Sequence, residues 1–508
     1  MMNLPEPWLR AATALVSVTT LLVTAGCDGS DVTGADSRHV SILSGAALSD
    51  TVYARPAEPL TIELTDGGGQ PAAGIEVVFS SVVHPEYGSG VAFRQEGRTF
   101  ATLRDTTDAD GRVSVGLQFL GPHAHNSGAV ISVPAWRRVE IDTVHYAILP
   151  GAVHAIVPPP SYTAVTIGDS VAYPALLYDT YGNIRQEGAL CTVSNDLARV
   201  SGECMLHGLA FGAATVTLHH GDLSASAPLV VVPAGEIAIE NYGLEVLRLD
   251  GSSYRKVDYS GITPGWTASG DSLLFAKSDP AGGPRHLWIT DPDQPGTERA
   301  AIPSRSGSPG EASPEATRDG AWIYFSAAVG DLQHGSEIWR ARRDGTAAER
   351  VTALSTEGRR DFAPSLDSGG ERLLYTSCAG PFDCVPVLRI LNLVTGTDRE
   401  VAAGTMGRFS PDGARIAALR DGAVVLLDAS GVDLREFDSP ANATGVDWSP
   451  DGQFLVVTAV IPVPHGERET ALFVLQVETG TSVPLRRLDT PGGALHARPL
   501  PGHPRWRP

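Results

Sequence analysis

Three sets of residues in this 508-residue sequence have types and spacings that invite chemistry. Asp105, Asp108 and Asp110 lie close enough to suggest a calcium loop. Calcium takes roughly six to eight oxygens, and an EF-hand adds further acids and a closing Glu. Those are missing, so the reading is a β-turn in which Asp accepts backbone N–H bonds. His123-Ala124-His125 and His219-His220 invite a metal as well. On a strand, residues i and i+2 share a face while neighbours point apart, so only His123 and His125 can converge, and no third ligand is nearby. Cys191, Cys204, Cys378 and Cys384 lack the C-x₂₋₄-C spacing of a zinc site. Their separations favour two local disulfides, Cys191 with Cys204 across a hairpin and Cys378 with Cys384 across the turn-like Ala379–Asp383. Four free thiols are the alternative. No G-x-S-x-G nucleophile motif occurs, and paired carboxylates for glycoside cleavage cannot be picked by spacing among 58 acids. No catalytic, cofactor-binding or metal-binding residue is assigned.

The elements that would position such residues are strands. Apolar residues make up 42% of the chain, mean hydropathy is −0.01, and Gly (55) and Pro (37) are plentiful. Beyond residue 26 no long stretch shows helical periodicity, so an all-β chain of several domains is expected. The net charge is −20, and Lys256 and Lys277 are its only lysines. A nucleic-acid surface needs clustered cations, so nucleic acid is excluded as a partner. The preference for Arg over Lys points to a GC-rich bacterial genome.

At the N-terminus, Arg10 closes a short n-region and Ala11–Val23 is apolar. Thr24-Ala25-Gly26-Cys27 follows, and the whole resembles a bacterial lipoprotein signal. Thr24 stands where such signals usually carry Leu. The resemblance implies cleavage after Gly26, a lipid on the Cys27 sulfur and a membrane anchor held by several acyl chains. An ordinary cleaved signal is the alternative; the apolar run is short of the ~20 residues a spanning helix needs. Residues 1–26 are thus read as signal peptide and 27–37 as a polar tether. An exported location also suits disulfides.

Two stretches then read as β-sandwiches. In 38–150, Pro59–Asp66 alternates as a strand, Gly67–Gly74 turns, Ile75–Phe79 is the next strand, and Thr107-Asp-Ala-Asp-Gly111-Arg-Val113 opens another. The D-x-x-G-x-P-x-x-G-x-x-V-x-F segment and the T-D-x-x-G-x-V turn resemble the bacterial immunoglobulin-like repeats of invasin- and intimin-type proteins. Residues 151–233 repeat the theme, with a turn at Asp179–Asn183 and closing strands at Ala213–Leu218 and Ala227–Val232. The resemblance implies stalks or spacers, and in some relatives adhesive tips.

Residues 235–508 carry a recurring turn. It stands in full at Trp448-Ser-Pro-Asp-Gly452 and nearly so at Phe409-Ser-Pro-Asp-Gly413. Degraded copies begin at Trp266, Ala316 and Leu366, and a start alone at Trp506. The six heads, Trp266, Ala316, Leu366, Phe409, Trp448 and Trp506, are spaced by 50, 50, 43, 39 and 58 residues. A four-stranded propeller blade takes roughly 40–50. Residues 235–259 supply a second, third and fourth strand with no head, and Trp506 is a head with nothing after it. Together they make one blade, so six blades close 1+3 between 501–508 and 235–259. The P-x-W-S-P-D-G pattern resembles the TolB-type propeller, within the broad WD-like group. The head residues are read as structural.

The resemblance implies an exported, non-enzymatic lipoprotein of the bacterial cell envelope, on the periplasmic or outer-membrane side. It would be monomeric, with the sandwiches as spacer and the propeller binding a protein or glycan of the envelope. A propeller-borne polysaccharide lyase or hydrolase is one alternative; it would be favoured by His, Arg and carboxylates converging at the mouth of the channel. An adhesin that binds through its sandwiches is another. The long loops near 303–313, 327–336 and 460–470 are where function is expected.

Overall fold

A computed structural model describes residues 38–82, 90–136, 142–159, 163–241, 243–278, 283–294, 296–302, 310–329, 335–344, 346–352, 358–380, 384–462, 468–488 and 504–508. Cys27, the signal and most of the tether lie outside them. Every helix or strand element they contain is a β-strand. The chain parts into two compact units, Met1–Pro150 and Gly151–Pro508.

The first unit is a sandwich of two five-stranded sheets. One sheet runs His39–Ser44, Leu60–Thr65, Arg112–Leu120, Gly90–Gln95, Arg98–Phe100; the other runs Ser49–Thr51, Asp142–Leu149, His125–Ser132, Glu76–Val82, Thr102–Thr106. Alternation decides which side chains enter. In Leu60–Thr65 every second residue is buried, and Leu60, Ile62 and Leu64 meet Phe79, Phe93, Phe119 and Tyr146 in one apolar cluster. The turns that the sequence marks hold themselves together. Asp108 Oδ1 accepts the N–H groups of Asp110 and Arg112, both at 2.9 Å. Gly111 has φ +74°, and a Cβ there would lie 2.6 Å from the Leu64 carbonyl oxygen, so both backbone shape and space require glycine.

The second unit opens with short sheets around their own apolar cluster, which includes Val165, Tyr173, Leu206, Val216 and Leu229. The long hairpin Gly212–His220 with Leu223–Val232 is its centre. Leu223–Val232 runs on into the first propeller strand, Glu236–Glu240, and the two parts share a core. Phe211, Val230 and Val232 cluster with Ile237, Leu247, Phe454, Val474 and Trp506. The Phe211 and Phe454 rings lie 5.1 Å apart, tilted by 59°.

Six four-stranded antiparallel blades complete the unit. The first combines Arg505–Trp506 with Glu236–Glu240, Leu244–Arg248 and Tyr254–Asp258. Trp506 faces Ile237 and Arg505 faces Ala238 in its ladder, which is the expected 1+3 closure. The inner strands of blades two to six are Ile262–Trp266, Glu311–Ala316, Arg360–Leu366, Thr405–Phe409 and Ala443–Trp448. Blades three and four are bridged into one sheet where Ser336 faces Arg360. Because neighbouring strands are antiparallel, the connections from strand 1 to 2 and from 3 to 4 fall on one side of the ring. Those from 2 to 3 and between blades fall on the other, here called the loop side.

Candidate functional site

All six heads sit at the turn-side end of an inner strand, and a common hydrogen-bond pattern holds most of the turns that follow. Ser449 Oγ and Ser410 Oγ donate to Asp451 and Asp412, both at 2.5 Å, and accept the N–H of Phe454 and Arg415, both at 2.9 Å. Thr317 and Thr267 do the same with Asp319 and Asp271. At Leu366 the following Asp367 takes over, accepting the N–H of Glu371 and Arg372. Each of these turns ends in a glycine whose φ lies between +68° and +70°.

The head aromatics join blades. Trp448 Nε1 donates to the Arg408 carbonyl and Trp266 Nε1 to the Arg505 carbonyl, each at 3.0 Å into the preceding blade. An arginine of that preceding blade covers the ring and bonds the turn. Arg415 stands 5.0 Å from the Trp448 ring and 3.2 Å from the Gly452 oxygen. Arg372 does so with Phe409 and Gly413, and Arg507 with Trp266 and Gly270. Ala316 and Leu366 occupy the same position without a ring.

One residue before each head the inner strands face the axis, with Gly265, Glu315, Ser365, Arg408, Asp447 and Arg505. Four of these form a charge network. Glu315 pairs with Arg505, and with Arg408 at 3.5 Å; Arg505 Nε lies 3.5 Å from Asp447 Oδ2. Glu315 belongs to blade three, Arg408 to five and Arg505 to one, so these contacts span the axis. Two backbone contacts add to the network. Trp506 N–H donates to Asp447 at 2.8 Å and Arg408 donates to the Pro364 carbonyl at 2.8 Å. Burial and the neighbouring Arg505 push the Arg408 guanidinium down to about 10. Burial pushes the Asp447 carboxyl up against the pull of both arginines. For Arg505, burial works against the charge, but Glu315 and Asp447 outweigh it and hold its pKa above the ordinary value. Two cations and two carboxylates thus neutralise one another across the channel.

A second group lies toward the loop side. A cavity of about 420 Å³ between blades two and three is lined by Arg285, Glu311, Ser278, Ser326 and Ser336 among others. Glu311, 1% exposed, accepts the Leu287 N–H at 3.1 Å, and His286 Nδ1 stands 3.9 Å from it. Nearby, Glu240 accepts the Thr263 N–H at 3.0 Å. Burial raises the Glu240 carboxyl to about 7, although that hydrogen bond and Arg285 pull it down. His286, Arg285 and the carboxylates of Glu311 and Glu240 thus gather on the loop side, around a recess between blades rather than at the mouth of the channel. Sequence reasoning missed this group, because its members come from different blades and share no motif. Of the three loops in which function was expected, residues 303–309, 330–334 and 463–467 lie outside the described residues.

Thr263, Ser313, Ala363 and Met406 repeat another unforeseen feature. Each stands three residues before its head, each has φ between +48° and +58°, and each lies in a bulge of its inner strand. No common residue type marks the position.

The four cysteines pair as Cys191–Cys204 and Cys378–Cys384. The first bond does not flank a hairpin. Its hairpin is Ala198–Ser201 with Met205–Gly208 and has Cys204 at the turn, whereas Cys191 lies in Leu190–Val193 of a different sheet. The disulfide therefore ties two sheets. Asp105 accepts from Gln95 Nε2 at 2.6 Å, and His125 Nδ1 lies 3.0 Å from the His123 carbonyl oxygen. Among the described residues no group of three or more His, Cys, Asp or Glu is placed to hold a metal, and no helix is long and apolar enough to cross a membrane. Two disulfides accord with an exported protein.

No family model and no curated protein matches the chain. Among solved structures it is similar to TolB from Acinetobacter baumannii, at 16% identity and TM-score 0.41, covering 63% of this chain and 83% of that one. A gluconolactonase from Xanthomonas campestris is similar at 15% identity and TM-score 0.35, covering 43% and 75%. A puromycin-hydrolysing peptidase of Mycobacterium tuberculosis is similar at 15% and 0.36, covering 55% and 50%. All three scores lie below 0.5; the propeller described above rests on this chain's own strand pairing.

Proposed function

We propose that this chain is a non-enzymatic lipoprotein of the bacterial cell envelope that binds a protein or glycan partner through the loop side of its propeller. Lipid on Cys27 anchors it, and the immunoglobulin-like sandwich of residues 38–150 spaces the propeller from the membrane. The observation that carries the reading is how the channel charges are used. Glu315, Arg408, Asp447 and Arg505 are committed to one another and to the closing strand, which assigns them to holding the ring together. The recess beside Arg285 then offers a partner a polar surface on the loop side. The test is photo-crosslinking in the native cell from position 285, with position 343 on the turn side as control. A single envelope component captured from 285 alone supports the proposal; equal capture from both positions, or capture from neither, overturns it.

Glu240 favours a second reading, a lyase or hydrolase. A carboxyl raised to about 7 suits general acid–base work at neutral pH. Turnover of envelope polysaccharide by the purified protein, lost in Glu240→Gln, would establish that reading and displace the first.

A further inference from the structure

Arg360 stands at the loop-side end of the fourth inner strand, opposite Cys378 in the ladder. Its Nη2 lies 3.4 Å from Cys384 Sγ and 3.8 Å from Cys378 Sγ. The adjacent Arg359 is engaged with Asp361 at 2.9 Å. Arg360 has no carboxylate within ion-pair reach among the described residues, and its buried Nε has no hydrogen-bond partner there. Among the described residues, a guanidinium thus rests against a disulfide with no acid to neutralise it. The other disulfide meets the opposite environment, since Cys204, 4% exposed, has its sulfur 3.2 Å from the Ala189 carbonyl oxygen.

A cation beside a sulfur favours thiolate over thiol, and a stabilised thiolate is a better leaving group in exchange. A carbonyl oxygen beside a buried sulfur does the reverse. We propose that Cys378–Cys384 is a thiol–disulfide exchange site that takes a dithiol reductant, with Arg360 as its positioning charge, whereas Cys191–Cys204 is a fixed structural bond. One thiolate of the dithiol attacks Cys384 Sγ, the more accessible sulfur, since Cys378 is 5% exposed. The S–S bond breaks and Cys378 leaves as a thiolate beside Arg360. The second thiolate of the reductant attacks its own sulfur in the mixed disulfide and expels Cys384 as a thiolate, also beside Arg360. The reductant ends as a disulfide, and its two protons end on the two cysteines. The bond closes the connection from Arg372–Cys378 to Val387–Asn392 on the loop side, so exchange there alters the side on which a partner would dock.

The test uses the full chain in graded mixtures of reduced and oxidised dithiothreitol, quenched by alkylation and read by peptide mass. Cys378–Cys384 is expected to open at a reduced-to-oxidised ratio at least tenfold lower than Cys191–Cys204. Arg360→Gln should move its midpoint about tenfold toward reducing conditions, roughly 30 mV for a two-electron couple, and leave Cys191–Cys204 where it was. Arg360→Lys should stay near the native midpoint. A common midpoint for both disulfides, or a native midpoint in Arg360→Gln, overturns the proposal. Should Arg360→Gln fail to fold by circular dichroism, the alkylation rate of the reduced native chain decides. Cys378 and Cys384 should react as thiolates at least ~1 pH unit below the ordinary cysteine value of about 8.5, and ordinary titration refutes the assignment.

Discussion

Removing Glu315 from the channel network leaves Arg408 buried without its carboxylate partner, while Arg505 keeps Asp447. The side chains of Glu315, Arg408, Asp447 and Arg505 are between 9% and 15% exposed. Losing one partner of a buried pair costs about 3–5 kcal/mol, because the remaining charge keeps its desolvation penalty. Glu315→Gln should therefore lower the unfolding free energy of the propeller by about 3 kcal/mol in urea titrations; a loss under about 1 kcal/mol would mean that water reaches the network. Glu240 gives the opposite pH signature to a salt-bridged acid. Its folded pKa, about 7, exceeds the ordinary carboxylate value of 4.5. Between those limits the folded state holds the extra proton, so stability is greatest at the acid end and falls as pH rises toward 7. The melting temperature of the native chain should fall relative to Glu240→Gln between pH 5 and pH 8, and parallel curves would refute the shift.

At the scale of the element, the repeated turn is the unit that the sequence states most openly. In the copies at Trp266, Ala316, Phe409 and Trp448 the Ser or Thr, the Asp and the Gly each answer to a specific hydrogen bond or to a positive φ. Gly452 has φ +68°, and a Cβ there would meet nothing closer than 3.5 Å. Gly452→Ala should thus cost only the left-handed backbone penalty, about 1–2 kcal/mol, and Gly452→Asn less. A larger loss would reveal a contact that the geometry lacks. Arg415→Ala removes both the stack on Trp448 and the bond to Gly452, and should cost about 1–2 kcal/mol by chemical denaturation. Strands and turns were legible because each needs only local residue types. The Arg-on-ring clasp was not, since Arg372, Arg415 and Arg507 act on the following blade: Arg372 and Arg415 share a place two residues after the turn glycine, but the ring each covers lies one repeat on, and Arg507 stands elsewhere. Nor were the bulges at Thr263, Ser313, Ala363 and Met406, where the backbone strain is set by ring geometry rather than by the residue. The charge network was half legible: its members stand one place before a recognisable head, but their pairing across the axis depends on which blades face each other.

For the whole molecule, the sequence-level picture of two spacers and a propeller needs one amendment. Residues 151–233 have an apolar cluster of their own, but their Phe211, Val230 and Val232 join a second one with blades one and six. Phe211→Ala opens that core and should cost about 3–5 kcal/mol. In calorimetry the native chain should show residues 151–508 melting in a single transition, and Phe211→Ala should split it. Two separate native transitions within that region would contradict the shared core.

The ring closure also sets an order in time. Arg507 reaches back to Glu236 across 271 residues, and no inner strand for blade one exists until Arg505 and Trp506 have been synthesised. Contacts so distant in sequence form late and slowly. During that interval the Glu236–Glu240 strand has an open edge, the kind of surface that invites pairing with another chain. Leu223–Val232 leads directly into it and can fold as soon as it emerges. Phe211, Val230 and Val232, which later pack with Trp506, are thus made long before the strand that completes their cluster.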